Sequence, residues 1–373
     1  MNKRPKLLFF VTEDWYFCSH RLPLALAARE AGFEVVVATR VREHGTLIRD
    51  SGLKLIPLEL SRRSANPASQ LVLLARLVSL YRCEKPDIVH HVAIKPVFLG
   101  SLAALLTGTP RIVNAVAGLG WLFTSTSRSA RLLGKFVATV FRALLGRSQV
   151  IVQNPDDHAF LMELGVPSGR IALIRGSGVD IEAYSPTPEP QKTPLVILAS
   201  RLLWNKGVGE FVEAARTLRA QGIRARFALV GEPDEANPAS IEIGQIARWQ
   251  QDGIVERWGK RDDMPAVMAQ AHIVCLPSYR EGLPKVLIEA AACGRPIVTT
   301  DVPGCREVVR DGENGLLVPA RSVQPLADAL RRLIEDPDLR KRMGSKGREM
   351  AVAEFSVNRV NRETLALYRD ILA

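Results

Sequence analysis

Four charged side chains stand out for their chemistry, in two short stretches. Arg201 and Lys206 lie in ASRLLWNKGVGEFVEAA, and Glu281 and Glu289 lie in REGLPKVLIEA. A guanidinium can grip two phosphate oxygens and an ammonium supplies a compact charge, so the first stretch can hold an anion. Two solvated surface cations fit the same spacing. In the second stretch Gly282 precedes Pro284, which can open a helix because its missing N–H costs nothing in the first turn. The amides near Leu283, Lys285 and Val286 and the helix dipole then favour an anion. Glu281 sits before the helix mouth and Glu289 about 1.5 turns in. Carboxylates facing such a site need a neutral partner rich in hydroxyls, and a sugar fits. Taken alone, the two carboxylates favour the plainer reading, in which Glu281 caps the helix and Glu289 is a surface residue.

The elements that must position these groups alternate. KLLFFV, FEVVVAT, KLIPLEL, DIVHHVA, RIVNAV and QVIVQN read as strands of a first half. PLVILAS, RFALVG, IVERWG, HIVCLPS, PIVTTD and GLLVPA read as strands of a second. Helical patterns such as HRLPLALAAREAG, GVGEFVEAARTLRAQG and PLADALRRLIED separate them. Nearly continuous Val/Ile/Leu strands alternating with helices predict parallel sheets covered on both faces. The fold class is therefore α/β, with two Rossmann-like domains. YSPTPEPQKTP, residues 184–194, has four prolines and no apolar periodicity, and reads as a linker. The expected domains are 1–185 and 186–354, with a C-terminal helix over 355–373 that packs back on the first domain.

The chain has 373 residues, enough for two cores, and a net charge of +11. Most of that charge sits in the first half, and from Asp87 to Asp156 there is no acidic residue between. Within this gap RSARLLGKFVATVFRALLGR, 128–147, has apolar residues at helical spacing and bases at Arg128, Arg131, Lys135, Arg142 and Arg147. This predicts an interfacial helix contacting an anionic membrane surface, against the plainer reading of a core-facing helix with a basic outer side. Nucleic-acid binding is not expected, since no binding motif or aromatic stripe accompanies the charge. The five cysteines are scattered and read as reduced thiols of a cytoplasmic protein. No apolar run is long enough to cross a bilayer. Asp336-Pro337-Asp338 reads as a capping turn rather than a metal site.

The whole constellation resembles the retaining glycosyltransferases of family 4, which have the GT-B fold with the active site in a cleft between two domains. SRLLWNKG matches their Arg-x4-Lys loop and EGLPKVLIE their E-x7-E signature; GKRDDMPAVMAQA and DGENGLLVP follow in family order. TEDWYFCSHRLPLA, DIVHHVAIKPVFLG, NAVAGLG, QNPDD and GSGVD resemble a bacterial subgroup that transfers sugars onto polyprenyl-diphosphate-linked saccharides. The resemblance implies that Arg201 and Lys206 hold the donor diphosphate, Glu281 the donor sugar and Glu289 the ribose. Gly282, Leu283, Pro284, Lys285, Val286 and Gly231 would complete the donor site, with Arg261 near the base by its backbone. It implies a donor that is a nucleotide diphosphate sugar, with UDP as nucleotide, and neither cofactor nor metal. The departing phosphate would take the acceptor proton on the same face.

The first half departs from the wider family pattern. VTEDWYFCSH replaces a Gly-Gly loop, and His90 and His91 are adjacent where H-x-H is common. His20, His90 and His91 all remain candidates for the donor sugar, or for structural roles. Glu13, Lys95, Gly118 and Gly120 are candidate acceptor or loop contacts. The expected location is cytoplasmic, peripheral on the inner face of the cell membrane. A nucleotide-sugar epimerase of the same fold, and a non-catalytic nucleotide-sugar-binding protein, are the rival readings.

Overall fold

The computed structural model describes residues 4–59, 66–116, 139 and 141–373. The chain divides into two compact units, residues 1–177 with 359–373, and residues 178–358. The division thus falls eight residues before the boundary expected from composition.

The first unit holds a seven-stranded, all-parallel sheet. Its strands are β1 (Lys6–Glu13), β2 (Glu34–Arg40), β3 (Lys54–Pro57), β4 (Ile88–Val92), β5 (Ile112–Ala115), β6 (Gln149–Val152) and β7 (Ile171–Leu173), in the order β3-β2-β1-β4-β5-β6-β7. Strand order reverses between β1 and β4. There Phe9 pairs with His90 and Phe10 with His91. Successive residues of a strand face opposite sides, so one apolar layer gathers on Phe9 and the other on Phe10. The helix Val357–Leu372 returns to this unit and buries Val360, Thr364, Leu365 and Tyr368, a stripe at helical spacing.

The second unit holds six parallel strands. They are β8 (Leu195–Ala199), β9 (Arg226–Val230), β10 (Glu256–Gly259), β11 (Ile273–Leu276), β12 (Ile297–Thr300) and β13 (Gly315–Val318), ordered β10-β9-β8-β11-β12-β13. Counted within the unit this is 3-2-1-4-5-6, the doubly wound order whose reversal point opens a ligand crevice at the carboxyl ends of the central strands. Those strands are β8 and β11. The twelve strands read from the sequence are all present. The three-residue edge strand β7 is the addition; it is too short to carry a periodicity.

The proline-rich segment is not a free linker, which corrects the sequence reading. Arg295 donates to Thr187 Oγ1 at 2.8 Å, Arg340 to Glu189 at 2.5 Å, and His272 Nε2 meets the Pro190 carbonyl at 3.0 Å. Arg348 donates to the Ile181 and Tyr184 carbonyls at 2.8 and 2.9 Å. The segment is a strap fastened to the second unit. The helix Pro337–Glu354 starts where Asp336 accepts from the Leu339 amide at 2.8 Å, the capping turn expected of the D-P-D sequence.

Candidate active site

At the reversal point of the second sheet, the loop after β8 carries Arg201 and Lys206, and the loop after β11 carries Glu281. Two glycines let the backbones close up. Gly207 has φ +72°, and a Cβ there would strike the Pro277 carbonyl; Gly231 has φ +136°, and a Cβ would strike the Ser200 carbonyl. The Tyr279 amide donates to the Asn205 carbonyl at 3.0 Å, and Ser278 Oγ to the same carbonyl at 3.2 Å, stitching the loops together.

Lys206 Nζ donates to Glu281 Oε1 at 2.5 Å, with side chains 19% and 11% exposed. Arg201 Nη1 pairs with Asp234 Oδ2 at 2.7 Å. The helix Lys285–Ala292 begins after Pro284 with no side-chain cap, so Glu281 does not cap it. The start of an α-helix leaves its first amides without intrahelical acceptors. Leu283 and Pro284 are buried, and Lys285 and Val286 half-buried.

Glu289 is not a surface residue: it is 6% exposed. Tyr184, from the strap, donates its hydroxyl to Glu289 Oε1 at 3.0 Å, and Lys285 Nζ lies 3.3 Å from the same oxygen. Burial pushes the Glu289 carboxyl above the usual carboxylate range, against the opposing pull of Lys285 and Tyr184. Arg261 forks onto Asp263 at 2.7 and 2.5 Å, which leaves its backbone as the part not tied down by that pair. Tyr184 and Asp234 were not legible in the sequence, because each meets its partner from an unrelated loop. Arg280, beside Glu281, buries Nε with no hydrogen-bond partner among the described residues, and no local sequence pattern marks it.

The first-unit candidates separate. His91 is fully buried. Its Nε2 meets Tyr81 Oη at 2.9 Å and its Nδ1 meets Asn114 Oδ1 at 2.8 Å. Asn114 in turn binds Ser101 and Ser148. With both nitrogens engaged inside the domain, His91 is a core residue and not a sugar contact. Burial holds its ring down to about 4, although the Asn114 bond pulls the other way. His90 is also fully buried, stacked on Phe9 at 5.1 Å and bonded to the Tyr368 hydroxyl. His20 is half-buried and stacked on Tyr16 at 4.2 Å. Glu13, 3% exposed at the end of β1, lies 3.6 Å from both Arg40 and Arg42. Lys95 lies in the first turn of the helix Ile94–Thr107, and burial lowers its pKa. Gly118, Gly120, Arg128, Arg131 and Lys135 lie outside the described residues. Arg142 is exposed, but its neighbours Phe141, Leu144 and Leu145 are buried, Phe141 and Leu145 against Val150, Val152 and Leu161. This last turn of the expected membrane helix is therefore core-facing.

Two all-parallel Rossmann-like sheets, of seven and six strands, make the fold GT-B. Residues 181–350 match the family described as glycosyl transferases group 1, and residues 6–154 match the family described as glycosyl transferase 4-like. The chain belongs to the family 4 glycosyltransferases and is a glycosyltransferase. It is 29% identical over 366 residues to an N,N'-diacetylbacillosaminyl-diphospho-undecaprenol alpha-1,3-N-acetylgalactosaminyltransferase of Campylobacter jejuni, covering 94% of this chain and 95% of that one. It is 27% identical to a UDP-Gal:alpha-D-GlcNAc-diphosphoundecaprenol alpha-1,3-galactosyltransferase of Escherichia coli, covering 79% of each. Among solved structures, Anabaena HepE in complex with UDP superposes with a TM-score of 0.78 at 21% identity, over 98% of this chain and 100% of that one.

Proposed function

We propose that this glycosyltransferase moves a sugar, a hexose or N-acetylhexosamine, from a UDP-linked donor to a polyprenyl-diphosphate-linked saccharide, retaining the anomeric configuration, in surface polysaccharide or glycan synthesis. The observation that carries the reading is the Lys206–Glu281 pair at the reversal point of the second sheet, 2.5 Å apart. A cation for a diphosphate and a carboxylate for sugar hydroxyls stand side by side there, as a diphosphate sugar requires. The names of the Campylobacter and Escherichia coli relatives, both acting on diphospho-undecaprenol-linked sugars, support the acceptor class.

In this reading Arg201 and Lys206 stabilise the charge that grows on the diphosphate as the glycosidic bond breaks through an oxocarbenium-like state. Glu281 accepts from sugar hydroxyls, and Glu289 from the ribose. Amides from Gly282 to Val286 meet phosphate and sugar oxygens, and Gly231 lets the loop after β9 lie close to the donor. Arg261 meets the base by its backbone. The leaving phosphate takes the acceptor proton. His20 is the first-unit histidine retained for the donor sugar, with Glu13, Lys95, Gly118 and Gly120 toward the acceptor. Among the described residues no helix is long and apolar enough to cross a membrane. Arg128, Arg131, Lys135 and Arg142 would draw the protein to the inner, anionic membrane face where a lipid-linked acceptor lies.

The test is a panel of nucleotide sugars incubated with protein and membrane lipid extract, with mass analysis of the lipid product. A single sugar added to a polyprenyl-diphosphate saccharide by the wild type, and lost in Glu281→Gln, is the expected result. Product from donor alone would favour an epimerase and overturn the reading.

A further inference from the structure

Arg21 is a buried cation that no described residue of the first unit neutralises. It joins the helices Asp14–His20 and Leu22–Glu30 and is 5% exposed. Its amide donates to the Phe17 carbonyl at 2.7 Å, and its own carbonyl accepts from Ala25 at 2.9 Å, so the backbone is fixed from both sides. Its Nε is buried with no hydrogen-bond partner, and its side chain has no ion pair among the described residues. Nearby carboxylates are committed elsewhere: Glu13 lies beside Arg40 and Arg42, and Asp14 accepts from the amides of Trp15, Arg42 and His44. A buried charge without a partner is among the most costly features a fold can keep.

A second unsatisfied group stands beside it. His90 Nε2 is buried with no partner among the described residues, while Nδ1 is bonded to the Tyr368 hydroxyl. The charge of Arg21 adds to burial in keeping this ring neutral. Where the Tyr368 hydroxyl donates to Nδ1, Nε2 carries the hydrogen, and His90 and Arg21 are then both donors lacking an acceptor among the described residues. His90 lies on β4, the strand that pairs with β1 where the strand order reverses, and the charge of Arg21 reaches its ring.

We infer that Arg21 and His90 Nε2 form an oxyanion subsite in the first unit that takes a phosphoryl group of the acceptor's diphosphate. The assignment to the acceptor rests on the function proposed above; the subsite itself rests on the two orphaned donors. The guanidinium supplies a two-pronged grip and the imidazole a third hydrogen bond, which fits a tetrahedral oxyanion better than a lone chloride.

Wild type and Arg21→Met are compared in three readouts: thermal unfolding, KM for a polyprenyl-diphosphate-linked sugar, and calorimetric binding of inorganic diphosphate with excess UDP present. Losing one charged hydrogen-bonding group raises the acceptor KM about tenfold or more while the donor KM stays within about twofold. Inorganic diphosphate binding is lost, and the melting temperature does not fall, because an uncompensated charge has been removed. An unchanged acceptor KM with unchanged diphosphate binding overturns the subsite, as does a lowered melting temperature with both binding readouts intact. If Arg21→Met does not fold, Arg21→Lys replaces it: a raised acceptor KM with normal donor KM supports the subsite, and an unchanged one overturns it. If the wild type transfers no sugar to lipid but binds diphosphate through Arg21, the subsite stands and the acceptor assignment falls.

Discussion

Lys206 and Glu281 lie 75 residues apart in sequence, and Nζ and Oε1 lie 2.5 Å apart in space. Each comes from the loop after a central strand, and the parallel order of β8 beside β11 makes the meeting inevitable once the sheet forms. The pair holds each side chain in place before a donor arrives, a preorganisation that suits stabilisation of developing charge.

Removing Lys206, or Arg201 on the same loop, should cost catalysis more than folding. Lys206→Ala and Arg201→Ala each should lower the transfer rate by on the order of 10²–10³, with unchanged circular dichroism. Turnover near that of the wild type in both would sink the diphosphate assignment.

Tyr184 ties the strap to Glu289, so Tyr184→Phe should weaken donor binding by several-fold for a lost hydrogen bond of about 1 kcal/mol. The Glu289 carboxyl is already raised by burial, and the Tyr184 bond lowers it. Removing that bond raises it further. Donor affinity should therefore fall off at a higher pH in Tyr184→Phe than in the wild type, because a protonated carboxyl no longer accepts two hydroxyls. A donor KM measured across pH checks this; superimposable profiles would refute the clamp role.

His91 makes stability depend on acid. Burial holds its folded pKa near 4, below the usual histidine value. The unfolded chain then binds a proton that the folded chain refuses. Stability is complete above about pH 6.5 and is lost as pH falls towards 4, by about 3 kcal/mol at 1.36 kcal/mol per unit. His90 is shifted in the same direction. Denaturant melts at pH 7 and 4.5 should show the loss, and His91→Gln, less stable at neutral pH, should lose less on acidification.

Phe141 distinguishes core from membrane at the end of the basic segment. It is 2% exposed, so Phe141→Ala should cost about 3–5 kcal/mol and leave vesicle binding unchanged in whatever protein remains folded. Neutralising Arg128, Arg131 and Lys135 together should instead weaken binding to anionic vesicles while sparing donor binding. A Phe141→Ala protein of normal stability that no longer binds vesicles would reverse the assignment.

Gly207 is held at φ +72° against the Pro277 carbonyl. Gly207→Ala should lose more than about 2 kcal/mol, from the left-handed backbone and the collision together. It should also lower transfer, because the loops bearing Lys206 and Glu281 would be pushed apart. A melting curve and a rate both at wild-type values would show that the loops can part without consequence.

The sequence alone determined the elements and the reactive residues. Val/Ile/Leu runs between amphipathic stretches specify parallel strands wherever they fall, and Asn154 and Asp336 set helix starts by accepting from the amides of Asp157 and Leu339. Arg201, Lys206, Glu281 and Glu289 stood out because their spacing within single loops and helices is short. What only the tertiary structure decided is every pairing across distant loops. Arg201 with Asp234 spans 33 residues and Tyr184 with Glu289 spans 105, and neither partner carries a local signal. Strand alternation required His90 and His91 to face opposite layers, but not which layer would satisfy its nitrogens. Tyr81 and Asn114 engage both nitrogens of His91; among the described residues only Tyr368 bonds to His90, and Arg21 has no ion pair. A composition that spells a linker became a strap because arginines 295, 340 and 348 reach it from helices and loops that sequence cannot bring near. Local chemistry is written in the chain; its partners are set by which strands the sheet places side by side.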